Sequence, residues 1–110
     1  MEIKKTKIDQ IEIFEISGRI DANNSKDFEN ILTQSFEGGT TKMVADLASL
    51  EYISSSGLRV FLSIAKKIGK NGFIYLCSLQ PQVLQIFSIS GFNNIFEIFE
   101  NREKALSKAK

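Results

Sequence analysis

The chain has 110 residues, room for one ordinary domain. With 43% hydrophobic and 25% charged residues, its composition predicts a packed core and excludes a disordered segment. Fourteen basic residues against thirteen acidic ones leave a net charge of +1, so nothing draws the chain to nucleic acid or to anionic lipid. There is no histidine, which removes the usual general base, the usual triad partner of a serine and the commonest zinc ligand. The single cysteine, Cys77, rules out an intrachain disulfide and suits a reducing cytosol. Met1 to Lys5 lacks the apolar run of a signal peptide, and no stretch approaches the roughly 20 apolar residues of a membrane span.

In chain order, a weak strand lies near Ile3 to Ile8, with a turn at Asp9-Gln10. The alternation Ile11-Glu12-Ile13-Phe14-Glu15-Ile16 predicts a half-buried strand, broken at Gly18. Phe28, Ile31, Leu32 and Phe36 share one helix face. Asn24 is placed to cap that helix, with Asp27 in its first turn and Gly38-Gly39 at its end. Lys42 to Leu47 predicts a mostly buried strand, followed by a polar loop, Ser54-Ser55-Ser56-Gly57. A second amphipathic helix carries Leu58, Phe61, Leu62, Ala65 and Ile68 and closes at Gly69 to Gly72. Phe73 to Cys77 predicts another buried strand, in which Cys77 is a core residue. Pro81 suits the first turn of a third helix with Val83, Leu84 and Phe87, stopped by Gly91. Ile95 to Phe99 predicts a last short strand, and Asn101 caps a terminal helix running through Leu106. Phe92 and Phe96 fall off the core-facing periods, which predicts an exposed patch. The order defines a single α/β domain over residues 1–110, with a mixed sheet of about five strands and about four helices.

The serine loop is the most informative feature. Three hydroxyls stand between a buried strand and a helix, directly before a glycine. One reading is capping, in which Ser55 or Ser56 accepts a hydrogen bond from a first-turn amide. The other is a phospho-acceptor: a helix N-terminus offers unpaired amides, and a phosphate there adds about −1.5 to −2 charges. The two readings are compatible.

The stretch Leu47 to Leu62, with Tyr52-Ile53-Ser54-Ser55-Ser56-Gly57-Leu58 at its centre, resembles the signature of anti-sigma factor antagonists, the STAS-domain regulators. Their pattern is an aromatic residue, a hydrophobic residue, then Asp-Ser-Ser/Thr-Gly-Leu. Gly18-Arg19-Ile20-Asp21 resembles the family's Gly-x-Leu/Ile-Asp, Ser88 to Phe92 its Ser-Gly-Leu/Phe segment, and Phe99 to Leu106 its C-terminal Phe…Ala-Leu. The resemblance implies a STAS domain, with helices packed mainly on one side of the sheet. It implies a bacterial, cytoplasmic partner-switching protein that acts on transcription by binding an anti-sigma factor that is also a serine kinase, so releasing a sigma factor. Phosphorylation of the first serine after the family's Asp ends the binding, and a metal-dependent serine phosphatase restores it. On that alignment the acceptor is Ser55, and Asp21, Asn23, Ser54, Ser56, Gly57 and Arg59 belong to the partner-binding surface.

One departure stands out: the family's Asp is Ser54 here. That leaves open a shift of the acceptor to Ser54 or Ser56, or binding without a switch. Ser55 is the preferred acceptor, because local charge tunes such a switch without moving it. Other residues carry two readings each. Asp21 is also a common turn former. Asp46 suits a structural hydrogen-bond acceptor better than an acid catalyst. Arg59 either reaches a phosphate on the preceding loop or lies on a solvated helix face.

Gly38 to Lys42 lacks phosphate-loop spacing, and Ser63-Ile64-Ala65-Lys66 lacks the companions of the Ser-x-x-Lys enzymes. No catalytic residue, metal ligand or cofactor is called for, so a binding protein is expected and an enzyme is not. The rival readings are a phosphorylation-independent STAS scaffold in a signalling assembly, a regulatory partner of a separate transporter, and a small hydrolase or nucleotide-binding enzyme, which the lack of histidine, metal-ligand clusters and a phosphate-binding glycine loop disfavours.

Overall fold

The computed structural model describes residues 1–110. Strands β1 (Glu2–Ile8) and β2 (Ile11–Ile20) form an antiparallel hairpin across Asp9-Gln10, in the register Ile8 to Ile11. Asp9 takes the left-handed conformation, φ 53°, which short polar side chains tolerate. Strand β1 is the exposed edge, and its lysines at 4, 5 and 7 discourage pairing with another chain.

Strand β2 is buried on both faces rather than half-buried. Its apolar residues change parity between Ile13 and Phe14, so Ile11 and Ile13 face one layer while Phe14, Ile16 and Ile20 face the other. The strand also serves two parallel partners in turn. Glu12 to Glu15 pair with β3 (Lys42–Asp46), and Gly18 to Ile20 pair with β4 (Leu50–Ile53) beyond a register shift at Gly18/Arg19. Gly18 sits at φ 88°, where a side chain is strained. Strand β4 lies between Leu47 and the serine loop, where the sequence reading assigns no element, and it brings the sheet of about five strands to six. Strands β5 (Phe73–Cys77) and β6 (Ile98–Phe99) complete the order β1-β2-β3-β5-β6, parallel after the hairpin.

Helices α1 (Ser25–Glu37), α2 (Ser55–Ile68) and α3 (Pro81–Ile89) cover one face; α4 (Arg102–Ala109) covers the other. The larger core centres on Phe61 of α2. Its ring lies 5.2 Å edge-on from Phe28 of α1 and 6.3 Å from Phe87 of α3. Phe96 also joins this cluster, 6.2 Å from Phe61, and is 7% exposed. The patch expected at Phe92 and Phe96 is therefore absent: Phe96 is core and Phe92 is half-buried against it. The last strand shrinks to Ile98–Phe99 because Ile95 and Phe96 complete a 3-10 turn instead.

On the other face, Ala105 of α4 packs on Ile11, Ile13, Val44 and Cys77. Burial pushes the Cys77 thiol up to about 11, with the Asp46 charge adding to the effect, so the thiol stays protonated and inert. Arg102 fastens the same helix to the sheet. It donates to Glu15 Oε1 at 2.5 Å and to Asp46 Oδ2 at 2.9 Å. Asp46 also accepts from the Ala48 amide at 3.1 Å, which is the structural role expected for it.

The hydrogen bond and charge of Arg102 hold the Glu15 carboxyl below its usual 4.5. A depressed carboxyl stabilises the fold above its unfolded value, and that contribution is lost as pH falls through the folded one. Arg102→Met is thus expected to cost about 1 kcal/mol at pH 7, since both side chains are partly solvated. The gap between wild type and variant narrows below pH 4.5. Urea titrations at pH 7 and pH 3.5 check it; a gap independent of pH refutes the assignment.

Candidate functional site: the head of the second helix

The site is built where two strand ends meet. Pairing of Ile20 with Ile53 sets the ends of β2 and β4 side by side. The Ser54 amide, donating to the Ile20 carbonyl at 2.8 Å, ties the next residue to the same place. Two turns therefore adjoin, Asp21 to Asn24 before α1 and Ser54 to Gly57 at the start of α2.

The three serines have three different jobs. Ser54 has an extended backbone, φ −86° and ψ 171°, and is the N-cap: its Oγ accepts from the Gly57 amide at 3.3 Å. Its carbonyl accepts from the Leu58 amide at 3.0 Å. Ser56 shares a hydrogen bond of 2.8 Å with Ser54, Oγ to Oγ. The helix begins at Ser55, one turn earlier than its apolar residues mark, so neither Ser55 nor Ser56 is the cap. Ser55 is exposed, and its hydroxyl joins none of these bonds. Gly57 is buried; a Cβ there would come within 2.7 Å of both Ile20 Cγ2 and Ile53 Cγ1. The glycine lets the first turn of α2 lie directly on the strand ends.

The neighbouring turn is rigid in its own way. Asp21 Oδ1 accepts from the Asn23 and Asn24 amides at 2.9 and 3.2 Å, the turn role open to it in the sequence. Asn24 precedes α1 as expected but does not cap it with its side chain. Its Oδ1 accepts from the Asp21 amide at 2.9 Å, and its Nδ2 donates to the Arg19 carbonyl at 2.9 Å. Asn23 is exposed at the tip.

Between the two helices runs a shallow groove. Lys26 and Glu29 line it from α1, and Ser56, Arg59 and Val60 from α2. Lys26 and Glu29 form an exposed pair at 3.7 Å. Arg59 is exposed on the groove wall, one turn beyond Ser55. The α1 side escapes sequence reading, because nothing local tells which exposed face of one helix meets the next. On the strands below, Arg19 lies over the Tyr52 ring, 4.5 Å from its centre, as the register of β2 with β4 dictates. No group of three or more acidic or cysteine side chains is placed to hold a metal ion, and no helix is long and apolar enough to cross a membrane.

A mixed sheet with three helices on one face and one on the other, and an exposed serine heading the second helix, defines a small α/β domain. The STAS domain family model matches residues 2–105, and the chain belongs to that family, among the anti-sigma factor antagonists. It is 38% identical to BtrV of Bordetella bronchiseptica, whose name provisionally assigns it as an anti-sigma factor antagonist. That match covers 100% of this chain and 96% of the relative. A Thermotoga maritima structure with a similar provisional assignment superposes with a TM-score of 0.92, at 22% identity, over 97% of this chain and 93% of that one. The anti-sigma factor antagonist SpoIIAA, in its unphosphorylated form, superposes with a TM-score of 0.82 at 19% identity, over 97% of this chain and 95% of that one.

Proposed function

We propose that this chain binds an anti-sigma factor that is also a serine kinase, that binding releases a sigma factor, and that phosphate on Ser55 ends the binding. The observation that carries the reading is the division of labour at the head of α2. Ser54 caps, Ser56 is bonded to Ser54, and only the Ser55 hydroxyl is both exposed and uncommitted. A kinase can take that hydroxyl into its active site without unwinding the helix. The phosphate then meets the positive end of the helix dipole, so the domain keeps its fold while its surface charge inverts. SpoIIAA, a structural neighbour, is described in both an unphosphorylated and a phosphorylated form, which supports a switch of this kind.

The docking surface of the proposal comprises Asp21, Asn23, Ser54, Ser56 and Arg59 at one end of the domain; Gly57, expected there from the sequence, is buried on Ile20 and Ile53 and supports that surface from beneath. A metal-dependent serine phosphatase in the cytosol resets the state. The chain itself acts by binding, not by catalysis. Ser54 in place of the family's Asp favours one second reading, a scaffold that uses the same surface without a switch.

Incubation with the cognate kinase and ATP, followed by intact-mass spectrometry, separates the two. One phosphate per chain is expected, lost in Ser55→Ala and kept in Ser54→Ala and Ser56→Ala. Ser54→Ala is also expected to lose about 1 kcal/mol of stability with its cap. No mass gain in the wild type supports the scaffold and ends the switch.

A further inference from the structure

The chain has three arginines, and two of them are committed. Arg19 lies over Tyr52, and Arg102 is held by Glu15 and Asp46. Arg59 is exposed and takes part in no ion pair. It stands four residues after Ser55 on the same helix, so the two share a face with about 5–6 Å between their Cβ atoms. Helical side chains lean toward the N-terminus, which puts Ser55 within reach of the Arg59 side chain.

We infer that Arg59 clasps the phosphate on Ser55 and, in doing so, leaves the groove between α1 and α2. The inference rests on Ser55 as acceptor and adds how the modified site is organised. An anion followed four residues later by a cation is the favourable order along a helix, and a guanidinium meets phosphate oxygens through two parallel hydrogen bonds. Nothing nearer competes: the first turn of α2 carries no acidic residue. The other charges around the site are Lys26 and Glu29, paired with each other along α1, Asp21 in the adjoining turn and Glu51 on β4.

Phosphorylation then changes the docking surface twice. It adds negative charge at Ser55, and it withdraws the positive charge of Arg59 from the groove wall. A partner that reads the groove loses its cation at the same moment that it meets an anion.

The test needs no kinase. The full chain is made with phosphoserine incorporated at Ser55 during synthesis, as wild type, Arg59→Lys and Arg59→Ala. The second ionisation of the phosphate is followed by 31P NMR, and the Arg59 Nε–H resonance by 15N correlation spectra. Arg59 is exposed, so folded spectra are expected for all three chains. In the Arg59 chain the phosphate is expected to lose its second proton about half a pH unit earlier than in Arg59→Ala. Arg59→Lys falls between them, since an ammonium supplies charge without the planar fork. The Arg59 Nε–H moves with the same midpoint as the phosphate. Equal midpoints in the Arg59 and Arg59→Ala chains, or an Nε–H that ignores the titration, overturn the clasp while leaving the switch intact. A chain that the kinase never modifies would instead overturn the switch, and this measurement would still read the clasp.

Discussion

Ser55→Asp is expected to weaken binding to the anti-sigma factor by about 100-fold or more. Ser55 is exposed at the first position of α2 and its hydroxyl is unbonded, so the substitution removes no interaction within the domain. A carboxylate in the first helical turn is favoured by the helix dipole, and the melting temperature of the variant should stay at or slightly above that of wild type. The whole effect therefore falls on docking. A partner that accepts a neutral hydroxyl has no counter-charge ready for a carboxylate, and an unpaired charge trapped in an interface costs several kcal/mol. The effect of aspartate is a lower bound, because phosphate carries about −1.5 to −2 charges rather than one. Ser55→Ala binds as wild type does. Titration calorimetry against the anti-sigma factor measures all three chains; equal affinity of Ser55→Asp and wild type removes the switch from this surface.

The sequence made the serines visible, but their roles came from the backbone. Of three adjacent serines before a glycine, Ser55 or Ser56 reads as the cap, whereas the cap is Ser54. Only the extended conformation at Ser54 and the helical start at Ser55 decide which one caps and which is left free. The apolar residues of α2 begin at Leu58 because the first turn rests on the strand ends through Gly57 and has no side chain of its own to mark it. Strand β4 was hidden for a related reason. Leu50 to Ile53 is too short to show a period, and it becomes a strand only because β2 runs on past its bulge at Gly18 and offers a second partner. That one pairing also brings Asp21 and Ser54 together across more than thirty residues of chain, a neighbourhood no local pattern announces. The long amphipathic faces of α1 and α2 were legible throughout, because burial imposes a period that a sequence carries openly.

Gly72→Ala is expected to destabilise the domain by about 3 kcal/mol, and Gly57→Ala by about 1–2 kcal/mol. Backbone conformation is not the reason at Gly72, whose φ of −174° suits any residue. The reason is space. A Cβ at Gly72 would stand 1.8 Å from the Thr41 carbonyl oxygen, where the Phe73 amide makes the hydrogen bond that opens the pairing of β5 with β3. Main chain cannot rotate away as a side chain can, so the strand entry must move and that bond is strained or lost. At Gly57 the obstacles are the Ile20 and Ile53 side chains, 2.7 Å from a Cβ, which can yield slightly. Alanine also recovers part of the loss through its better helix propensity. Urea unfolding should therefore place Gly72→Ala well below Gly57→Ala, with a midpoint roughly 2 M under wild type. The functional order is the reverse. Gly72 lies at the far end of α2 and leaves the serine turn in place, whereas lifting the first turn off Ile20 and Ile53 shifts Ser55 itself. Gly57→Ala should slow phosphorylation more than Gly72→Ala when both are assayed folded. If the less stable variant is also the slower substrate, the glycine at the head of α2 serves stability alone, and the close packing beneath Ser55 has no part in presenting it.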